Sequence, residues 1–303
     1  MEVSSHALAL HRVDGTRFTV AIFTNLSRDH LDFHGTLERY FEAKARLFTP
    51  ALSARAVVNA DDPHGRLLLD AAEIPTVAYS LADVSDLHLS ASASRFTWRD
   101  EVITVPIGGR HNVHNALGAA TAALEAGVPI PAVVAGIGNA GPVPGRFEPV
   151  DEGQPFSVIV DYAHTPDGLE RVLEAAREVA SGHRVVLVFG AGGDRDRTKR
   201  AGMGAAAAAG ADVAVVTSDN PRGEEPAAII AEIVKGAPPS RLVVELDRRS
   251  AIAFALESAD PGDVVVIAGK GHETTQTTGT TIAPFDDRVV AREELARLAG
   301  GRR

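Results

Sequence analysis

The second half of the chain alternates between short apolar runs and segments with helical periodicity. The apolar runs are rich in Val, Ile and Leu and lack polar alternation, which is typical of strands buried on both faces of a parallel sheet. Repeated strand–helix units of this kind predict a doubly wound α/β domain. The predicted strands are residues 157–160, 185–189, 213–217, 242–246 and 264–268, and the predicted helices lie near 166–180, 197–209, 226–235, 248–258 and 287–299.

The first half of the chain has a more mixed pattern. Residues 87–106 alternate and turn in the manner of antiparallel strands. A cluster of proline and glycine at residues 141–145 is the strongest linker signal, so we predict one domain over residues 1–141 and another over 145–303. The other predicted elements are strands at 18–24, 56–59 and 76–80 and helices at 36–49 and 112–127.

Composition and charge exclude several classes of protein. The 303 residues include no cysteine, which removes disulfide scaffolds, thiol nucleophiles and cysteine zinc sites. The formal net charge of −10 argues against a general binder of nucleic acid or anionic membranes. No stretch reaches the ~20 apolar residues that cross a bilayer, and the N-terminus lacks the basic head and apolar core of an export signal. We therefore predict a cytosolic protein without nucleic-acid or membrane partners, and the oligomeric state stays open.

Polar and glycine-rich segments follow all five predicted strands of the second half. Ligands of open α/β sheets bind beyond the carboxyl ends of the strands, so these segments together predict one ligand-facing rim. For any single segment, an ordinary polar loop is the alternative. The segments are Asp161–His164, Gly190–Asp196, Ser218–Arg222, Asp247–Arg249 and Gly269–Glu273.

The segment Gly190–Asp196 is a partial match to the dinucleotide-binding fingerprint. Arg195 stands where that fingerprint has its third glycine, so the match is weak evidence for a nicotinamide cofactor. Its Asp-Arg-Asp ending favours a zwitterionic ligand instead.

A lysine interrupts the apolar face of the predicted helix 36–49. Lys44 lies within that face at 100° per residue, so its ammonium must reach solvent, pair with an anion, lose its proton or be modified. Reaching solvent is the simplest structural interpretation. The apolar face consists of Leu37, Tyr40, Phe41, Leu47 and Phe48.

The loop ahead of this helix carries two histidines and two aspartates. Carboxylates and imidazoles near a strand end can hold a hard divalent ion for phosphate chemistry. Solvated loop histidines are the alternative. The four residues are Asp29, His30, Asp32 and His34.

Several strings, taken in order along the chain, resemble the Mur ligases, which are ATP-dependent amide-forming enzymes of bacterial cell-wall synthesis. The resemblance covers almost the whole chain and is most specific to the branch that adds the third amino acid, the UDP-N-acetylmuramoyl-tripeptide synthetases. The matching strings are Met1–Leu8, Asn25–Gly35, Gly109–Asn115, Gly145–Glu148, Asp161–Asp167, Gly192–Asp196, Asp219–Arg222 and Gly269–Glu273.

The resemblance implies a fold and a reaction. The fold is the remnant of a P-loop-type central ligase domain followed by a Rossmann-like doubly wound C-terminal domain. In the reaction, a D-glutamate carboxylate of UDP-MurNAc-L-Ala-D-Glu attacks the γ-phosphate of ATP, and an amine then displaces phosphate from the acyl phosphate. This reaction belongs to peptidoglycan precursor synthesis.

The resemblance also implies roles for individual residues. In Mur ligases the residue matching Lys44 is carbamylated and becomes an anionic ligand for Mg²⁺, so Lys44 and His30 are the predicted catalytic residues. The implied metal ligands are Glu2, His30 and Lys44. The implied nucleotide-sugar contacts are Ser4 and Arg12, with Leu10 standing at a neighbouring contact position that can be Gln in the family. The implied nucleotide contacts are Asn115, Arg146, Asp161 and His164.

The string Asp219–Arg222 indicates which amino acid is the second substrate. Arg222 matches the signature of family members that add meso-diaminopimelate, which lysine-adding members lack. A planar guanidinium can bind the distal carboxylate of diaminopimelate in a bidentate manner, and lysine has no such carboxylate. The implied amino-acid contacts are Arg195, Asp219, Asn220, Pro221, Arg222, Gly269 and Glu273, with Glu273 suited to the distal ammonium.

The sequence contains no GxxxxGK[ST] string, which is the phosphate-binding P-loop. In the family this loop precedes the segment that matches Glu2, together with a uridine-binding domain. We therefore expect a chain that begins within the central domain and has little or no ligase activity by itself. Two other functions stay open: another ligase of the superfamily such as a folylpolyglutamate synthetase, and a non-catalytic fragment that binds diaminopimelate or a partner protein.

Overall fold

The computed structural model describes residues 1–27 and 30–301, without the side chain of Asp32. The chain folds into two compact units. The first contains residues 1–88, 94–106 and 110–140, and the second contains residues 89–93, 107–109 and the chain from residue 141 onward.

The first unit combines a parallel and an antiparallel sheet with helices. Its helices are α1 (Ser5–Ala9), α2 (Leu31–His34), α3 (Leu37–Ala45), α4 (Pro63–Ala71), α5 (Arg110–Glu125) and α6 (Ile130–Gly138). Its strands are β1 (Ala21–Phe23), β2 (Ala56–Asn59), β3 (Thr76–Tyr79), β4 (Val84–Leu89), β5 (Ser94–Trp98) and β6 (Glu101–Val105).

The parallel sheet of the first unit has the strand order β1-β2-β3. Its central strand β2 is wholly buried, as its apolar sequence predicts. The apolar face of α3 packs on this sheet, with Tyr40 and Phe48 buried and Phe41 partly buried. The predicted helix 36–49 is confirmed in its first part: Thr36 caps α3 by accepting a hydrogen bond from the Arg39 N–H, and the last turn tightens into a 3₁₀ helix over Arg46–Phe48.

The predicted antiparallel segment 87–106 is confirmed as the three-stranded sheet β4-β5-β6. Four described helices of the first unit, α1, α2, α4 and α6, lie outside the predicted elements. The longer two, α4 and α6, have nine residues each and begin at or beside a proline, Pro63 or Pro129. Proline suits the first turn of a helix, although the same residue in a sequence signals a turn equally well.

The second unit is a doubly wound α/β fold, as predicted. Its helices are α7 (Pro166–Ala180), α8 (Lys199–Gly210), α9 (Pro226–Val234), α10 (Arg248–Glu257) and α11 (Asp287–Gly301). Its strands are β7 (Glu148–Pro149), β8 (Ser157–Asp161), β9 (Val185–Phe189), β10 (Val213–Val216), β11 (Leu242–Val244), β12 (Val264–Ala268), β13 (Thr275–Thr278) and β14 (Thr281–Pro284).

The main sheet of this unit has the order β11-β10-β9-β12-β8-β7, parallel except for the short edge strand β7. Strands β9 and β12 are buried along their whole length. One apolar core on each face of the sheet accounts for that burial. The chain inserts β12 between β8 and β9, so the strand order reverses there, and the crevice at such a reversal is where doubly wound folds bind ligands.

Small residues let the helices on one face approach closely. Residues 201–211 are mostly alanine and glycine and lie largely in α8, which packs against α9. A side chain at Gly204 would place its Cβ 2.1 Å from the carbonyl oxygen of Ile233, so only glycine fits at this point. Within the described residues, none of the helices combines the length and the apolar character that crossing a bilayer requires.

Candidate functional site

The loops after four parallel strands of the second unit meet at one edge of the sheet, as the predicted rim requires. The Gly269 N–H donates to the Asp161 carbonyl at 3.1 Å, which joins the loops after β12 and β8. The Gly193 N–H donates to the Asn220 carbonyl at 2.8 Å, which joins the loops after β9 and β10. Hydrogen bonds therefore connect these loops in pairs.

Two glycines of the rim lie where a side chain would collide with backbone or carboxylate. A Cβ at Gly193 would fall 1.8 Å from the Pro221 carbonyl oxygen. Gly269 has φ of +113°, and a Cβ there would fall 2.6 Å from a carboxylate oxygen of Asp219. The close approach of the loops therefore depends on glycine at both positions.

Arg222 is held from three directions. Its backbone adopts the left-handed conformation (φ 51°), its N–H donates to the Thr277 carbonyl at 3.0 Å, and its own carbonyl accepts from the Gly279 N–H at 2.6 Å. Its guanidinium donates from Nη1 to the Gly193 carbonyl at 2.9 Å. Among the described residues this is its one side-chain hydrogen bond, so a guanidinium with five N–H donors keeps most of them for a ligand.

Asn220 and Glu273 form a second polar group beside Arg222. The Asn220 Nδ2 donates to Glu273 Oε2 at 2.7 Å, while Asn220 Oδ1 accepts from the Thr277 N–H at 2.9 Å. These two bonds determine the orientation of the amide. Lys270, whose side chain is fully buried, donates to the Thr275 carbonyl at 2.6 Å and lies 3.5 Å from Glu273 Oε2. The carboxylate thus lies between a cation and an amide donor.

The remaining predicted amino-acid contacts differ in exposure. Asp219 is buried and accepts through its carbonyl from Gln276 Nε2 at 2.7 Å. Pro221 is buried as well. Arg195 is exposed, and its Nη1 lies 3.4 Å from the Asp194 carbonyl. The rim therefore carries two arginines together with carboxylate and amide side chains.

A buried arginine lies behind the loops after β9 and β10. Arg200 donates to both carboxylate oxygens of Glu224, at 2.9 and 2.7 Å, and to Glu232 at 2.8 Å. The hydrogen bonds from Arg200, followed by the bond from the Asp194 N–H, lower the pKa of Glu224 to about 2. Glu224 is therefore a permanent anion at neutral pH.

The segment after β11 lies beside the loop after β10, where the Leu246 carbonyl accepts from the Ser218 hydroxyl at 2.7 Å, but its Arg248 does not face the rim as predicted. Arg248, which begins α10, is buried and forms a double hydrogen bond with Asp287 at 2.8 and 2.7 Å. It also donates to the carbonyls of Ser218 and Ala268, at 3.2 and 2.9 Å. Arg248 thus takes part in an ion pair in the core. Its guanidinium lies below the rim loops and satisfies the two backbone carbonyls that it binds.

The predicted nucleotide contacts of the second unit surround one tyrosine. The Arg146 guanidinium lies 4.5 Å from the centre of the Tyr162 ring, and the rings of His164 and His272 lie 4.7 and 5.3 Å from it. A cation and neighbouring aromatic rings of this kind offer ring faces on which a base can stack.

Asp161 organises the backbone beneath that surface. Its carboxylate accepts from the Phe147 N–H and the Ala163 N–H, each at 2.8 Å. The fourth predicted nucleotide contact, Asn115, lies exposed on α5 of the first unit and donates to Asn112 Oδ1 at 3.2 Å. Its role stays a prediction.

The predicted metal ligands lie in the first unit. The half-buried Lys44 has its Nζ 5.3 Å from the centre of the Tyr40 ring, and the His30 ring centre lies 6.0 Å from the same ring. Glu2 is exposed just ahead of α1. Over residues 1–27 and 30–301, no three His, Cys, Asp or Glu side chains converge to hold a metal ion. The predicted ligand set is not of this type, because only two of its members are such side chains and the third would be a carbamate formed on Lys44.

The histidine-rich loop is only partly a solvated loop. His34 is buried, with its Nε2 2.9 Å from the Ser5 hydroxyl and its ring stacked on Tyr40 at 5.0 Å. His6, which we had assigned no role, packs edge-on against His30 at 4.8 Å. Arg28 and Asp29, and the side chain of Asp32, lie outside the described residues.

The predicted nucleotide-sugar contacts are both exposed. Ser4 caps α1, where its hydroxyl accepts from the Ala7 N–H at 3.1 Å. Arg12 follows the helix on an exposed turn, close in sequence to Leu10, which is 47% exposed. These positions leave the side chains accessible to a ligand.

Three charged residues of the site were missed in the sequence: Arg200, Glu224 and Lys270. Lys270 had a usable signal, since it directly follows a fully apolar strand between two glycines. Arg200 had none, because it occurs among several arginines and lysines at the start of a helix. Only burial distinguishes it from Arg197, whose side chain is 60% exposed.

Comparison with known sequences relates almost the whole chain to one protein family. The profile described as the Mur ligase middle domain matches residues 1–123, and that of the Mur ligase glutamate ligase domain matches residues 145–271. UDP-N-acetylmuramoyl-L-alanyl-D-glutamate--2,6-diaminopimelate ligases of Streptomyces coelicolor and Gloeobacter violaceus are 46% and 50% identical over 99% and 98% of this chain. The chain spans 63% of the length of each of these relatives.

Structural comparison agrees with the sequence. A solved structure of a UDP-N-acetylmuramoyl-L-alanyl-D-glutamate--2,6-diaminopimelate ligase is 40% identical, with a TM-score of 0.64 over 98% of this chain and 64% of that chain. A pseudomurein peptide ligase of Methanothermus fervidus, 18% identical, shares the fold with a TM-score of 0.68 over 98% of this chain and 66% of its own. On the fold, the loop geometry and these matches, the chain belongs to the Mur ligase family.

Proposed function

We propose that this chain carries the amino-acid-binding and catalytic parts of an ATP-dependent ligase that joins meso-diaminopimelate to UDP-MurNAc-L-Ala-D-Glu in peptidoglycan precursor synthesis. Residues 1–141 would be the central ligase domain and residues 145–303 the C-terminal domain. The names of relatives that are 45–50% identical support this reaction. The observation that carries the choice of amino acid is the guanidinium of Arg222, fixed against Gly193 with most of its donors unused among the described residues.

Arg222 would bind the distal carboxylate of diaminopimelate. A guanidinium and a carboxylate form two parallel hydrogen bonds, which gives both affinity and orientation. Glu273, whose carboxylate is oriented by Asn220, would bind the distal ammonium, and Asn220, Asp219 and Gly269 would line the pocket. Arg195 supplies a second cation, while Pro221 and the glycines shape the backbone. L-Lysine has no distal carboxylate and would leave the Arg222 guanidinium unpaired.

The proposed chemistry needs no protein nucleophile. A carboxylate oxygen of the D-glutamate attacks the γ-phosphorus of ATP, and ADP leaves, which produces an acyl phosphate. The amine nitrogen of diaminopimelate then attacks the carbonyl carbon, inorganic phosphate leaves and the nitrogen loses a proton. The chain's contribution is to bind and orient the two reactants, which converts a bimolecular reaction into an effectively unimolecular one.

Mur ligases depend on ATP, and the ring cluster around Tyr162 is the surface that we propose for the nucleotide. Arg146 and His164 would contact the nucleotide there. Asp161 would act through the loop backbone that its carboxylate holds, or directly on the ligand. Asn115 is proposed as a further nucleotide contact from its match to the family alone.

Glu2, His30 and a carbamylated Lys44 would hold the Mg²⁺ that Mur ligases usually require. Carboxylate and carbamate oxygens are hard donors that suit this ion, and an imidazole completes the set. Lys44 fits the role because the residue is half-buried and its amine lies over the Tyr40 ring, which the His30 ring also contacts. When bound, the ion would neutralise phosphate charge as the acyl phosphate forms.

Ser4 and Arg12 would contact the nucleotide-sugar substrate. Both side chains are exposed, and the guanidinium of Arg12 is suited to a phosphate or carboxylate of that ligand. Because the substrates of the reaction are cytoplasmic metabolites, we propose a cytoplasmic location as well.

Titration calorimetry of the 303-residue chain with meso-diaminopimelate and with L-lysine tests this proposal. We expect binding of meso-diaminopimelate that is stronger than that of L-lysine by about 100-fold, since one charged hydrogen-bonded pair differs between them. Arg222→Ala should remove most of that difference. Arg171→Ala, which changes an exposed arginine of α7, is the matched control and should keep it. Equal affinity of the wild-type chain for the two amino acids would contradict the proposal.

A further inference from the structure

We propose that Arg200 and Glu224 are positioning residues that place the guanidinium of Arg222, and so determine the selectivity for a substrate with a distal carboxylate. The inference rests on the proposed function. It concerns two residues outside the predicted amino-acid contacts, and it follows from the hydrogen bonds behind the rim.

The first observation is the burial of an arginine that bonds through both of its terminal nitrogens, Nη1 and Nη2, while its Nε has no partner among the described residues. The Arg200 side chain is 0% exposed, and it donates from Nη1 and Nη2 to both oxygens of Glu224 at 2.9 and 2.7 Å. Burying a guanidinium costs free energy that its partners only partly return, so a buried pair is weak evidence for added stability. The best-attested benefit of such pairs is that they specify one arrangement of the chain.

The second observation is that the pair binds both rim loops at once. Arg200 Nη2 donates to the Gly192 carbonyl, in the loop after β9, at 3.3 Å. Glu224, which follows the loop after β10, accepts from the Asp194 N–H at 2.7 Å, and the Asp194 carboxylate accepts from the Gly223 N–H at 2.9 Å. One guanidinium therefore connects the two loops that carry Arg195 and Arg222.

The third observation links this connection to the selectivity residue. Arg222 Nη1 donates to the Gly193 carbonyl, which is next in the chain to the carbonyl that Arg200 binds. Any shift of the Gly192–Gly193 backbone moves the acceptor that orients the Arg222 guanidinium. A bidentate pair tolerates little misplacement, so the effect should fall on the ligand carboxylate that Arg222 binds.

A purely structural role of Arg200 and Glu224 would give a different result in binding and stability measurements. If Arg200 and Glu224 only stabilised the fold, their loss would lower the melting temperature and weaken all ligands alike. If they position Arg222, their loss should reduce the affinity for meso-diaminopimelate more than the affinity for L-lysine. The ratio of the two dissociation constants therefore separates the two roles.

The experiment measures both dissociation constants by calorimetry for the wild-type chain, Arg200→Lys, Glu224→Gln, Arg222→Ala and Arg197→Ala. Arg200→Lys keeps the charge and loses the planar fork, and Glu224→Gln keeps the shape and loses the charge, so at least one should fold. Circular dichroism and melting temperature identify the folded variants. Arg197 is the control: its exposed guanidinium binds Glu232 and lies 3.8 Å from Glu224 Oε2, but among the described residues it donates to neither loop, so its loss leaves the bonds of Arg200 and Glu224 to the two loops in place.

We expect the wild-type preference for meso-diaminopimelate to fall about tenfold in Arg200→Lys and Glu224→Gln, to nearly vanish in Arg222→Ala and to persist in Arg197→Ala. A preference unchanged in the folded Arg200 and Glu224 variants would overturn the inference, as would an equal loss of affinity for both amino acids. A wild-type chain without the preference would instead refute the proposed function. The two failures are thus distinguishable.

Discussion

Arg248 and Asp287 form a fully buried ion pair in which the guanidinium Nε and Nη2 donate to the two carboxylate oxygens at 2.8 and 2.7 Å. Burial opposes the charge of Arg248, but the Asp287 carboxylate outweighs it, and the pKa of the guanidinium stays above its ordinary value. The same guanidinium binds the carbonyl of Ser218, which begins one loop of the rim, and that of Ala268, which immediately precedes another. The pair thus supports those loops from within the core.

Removing one member of this pair should be strongly destabilising, because the other charge stays buried without a partner. We expect Asp287→Ala to lower the free energy of unfolding by about 3–5 kcal/mol. Urea denaturation followed by circular dichroism measures it. On α11, the helix that begins at Asp287, Arg292→Ala breaks an exposed pair with Glu152 and should cost no more than about 1 kcal/mol. A similar small effect of both variants would contradict the buried-pair account.

Glu224 should contribute a stability that depends on pH. Its pKa in the folded chain is about 2, against an ordinary 4.5, so its contribution is fully present above pH 4.5 and is lost as the pH falls towards 2. Glu224→Gln should therefore reduce the loss of stability between neutral pH and pH 3. Denaturation curves at pH 7 and pH 3 measure the difference. Gly136→Ala, which changes no titratable group, should keep the wild-type dependence, and an equal pH response of Glu224→Gln would refute the prediction.

Gly193→Ala should separate the two loops that position Arg222. The added Cβ would lie 1.8 Å from the Pro221 carbonyl oxygen, so one backbone must move. Overpacking of this kind costs about 1–3 kcal/mol, and we also expect weaker binding of meso-diaminopimelate. Denaturation and calorimetry measure the two effects. At Gly136 the space around a Cβ is open, so Gly136→Ala should stabilise α6 by up to about 1 kcal/mol, and equal behaviour of the two variants would argue against close loop contact.

Lys44 should form a carbamate in the presence of bicarbonate. The half-buried amine lies beside Tyr40, where conversion to an anion requires a metal ion or a donor nearby, so we expect Mg²⁺ to increase the carbamate. Nuclear magnetic resonance with isotope-labelled bicarbonate measures it directly. The signal should vanish in Lys44→Ala and persist in Lys235→Ala. A signal that survives Lys44→Ala would mean that another amine is modified.

Much of the second unit follows from local sequence. Strands such as Val185–Phe189 and Val264–Ala268 are predicted within a residue because continuous β-branched runs are stable only when both faces are covered. The hairpin of β13 and β14 was not predicted. Strand β13 is threonine-rich and β14 is exposed throughout, so neither shows the apolar alternation that marks a strand. The paired strands are held by bonds to the Arg222 backbone and to Asn220.

The residues proposed for the site also fall into those that the sequence predicts and those that it does not. Arg222, Asn220 and Glu273 could be named from their motifs, since each motif directly follows a predictable strand. Arg200 could not be distinguished from Arg197, three residues away on the same helical segment. Both are arginines with acidic partners, and only the packing of α8 against its neighbours buries one and exposes the other.

The sequence alone was sufficient for the alternation of strands and helices, the rim at the carboxyl ends of the strands and the family, because these depend on interactions between residues close in the chain and on the order of motifs. The tertiary structure decided which polar side chains of these loops face the rim and which enter the core. Arg248 lies in a loop that the sequence assigned to the rim, and it became a core residue because Asp287, thirty-nine positions later, lies against it. Burial and charge pairing are properties of residues distant in sequence, and the pattern of any one segment does not contain them.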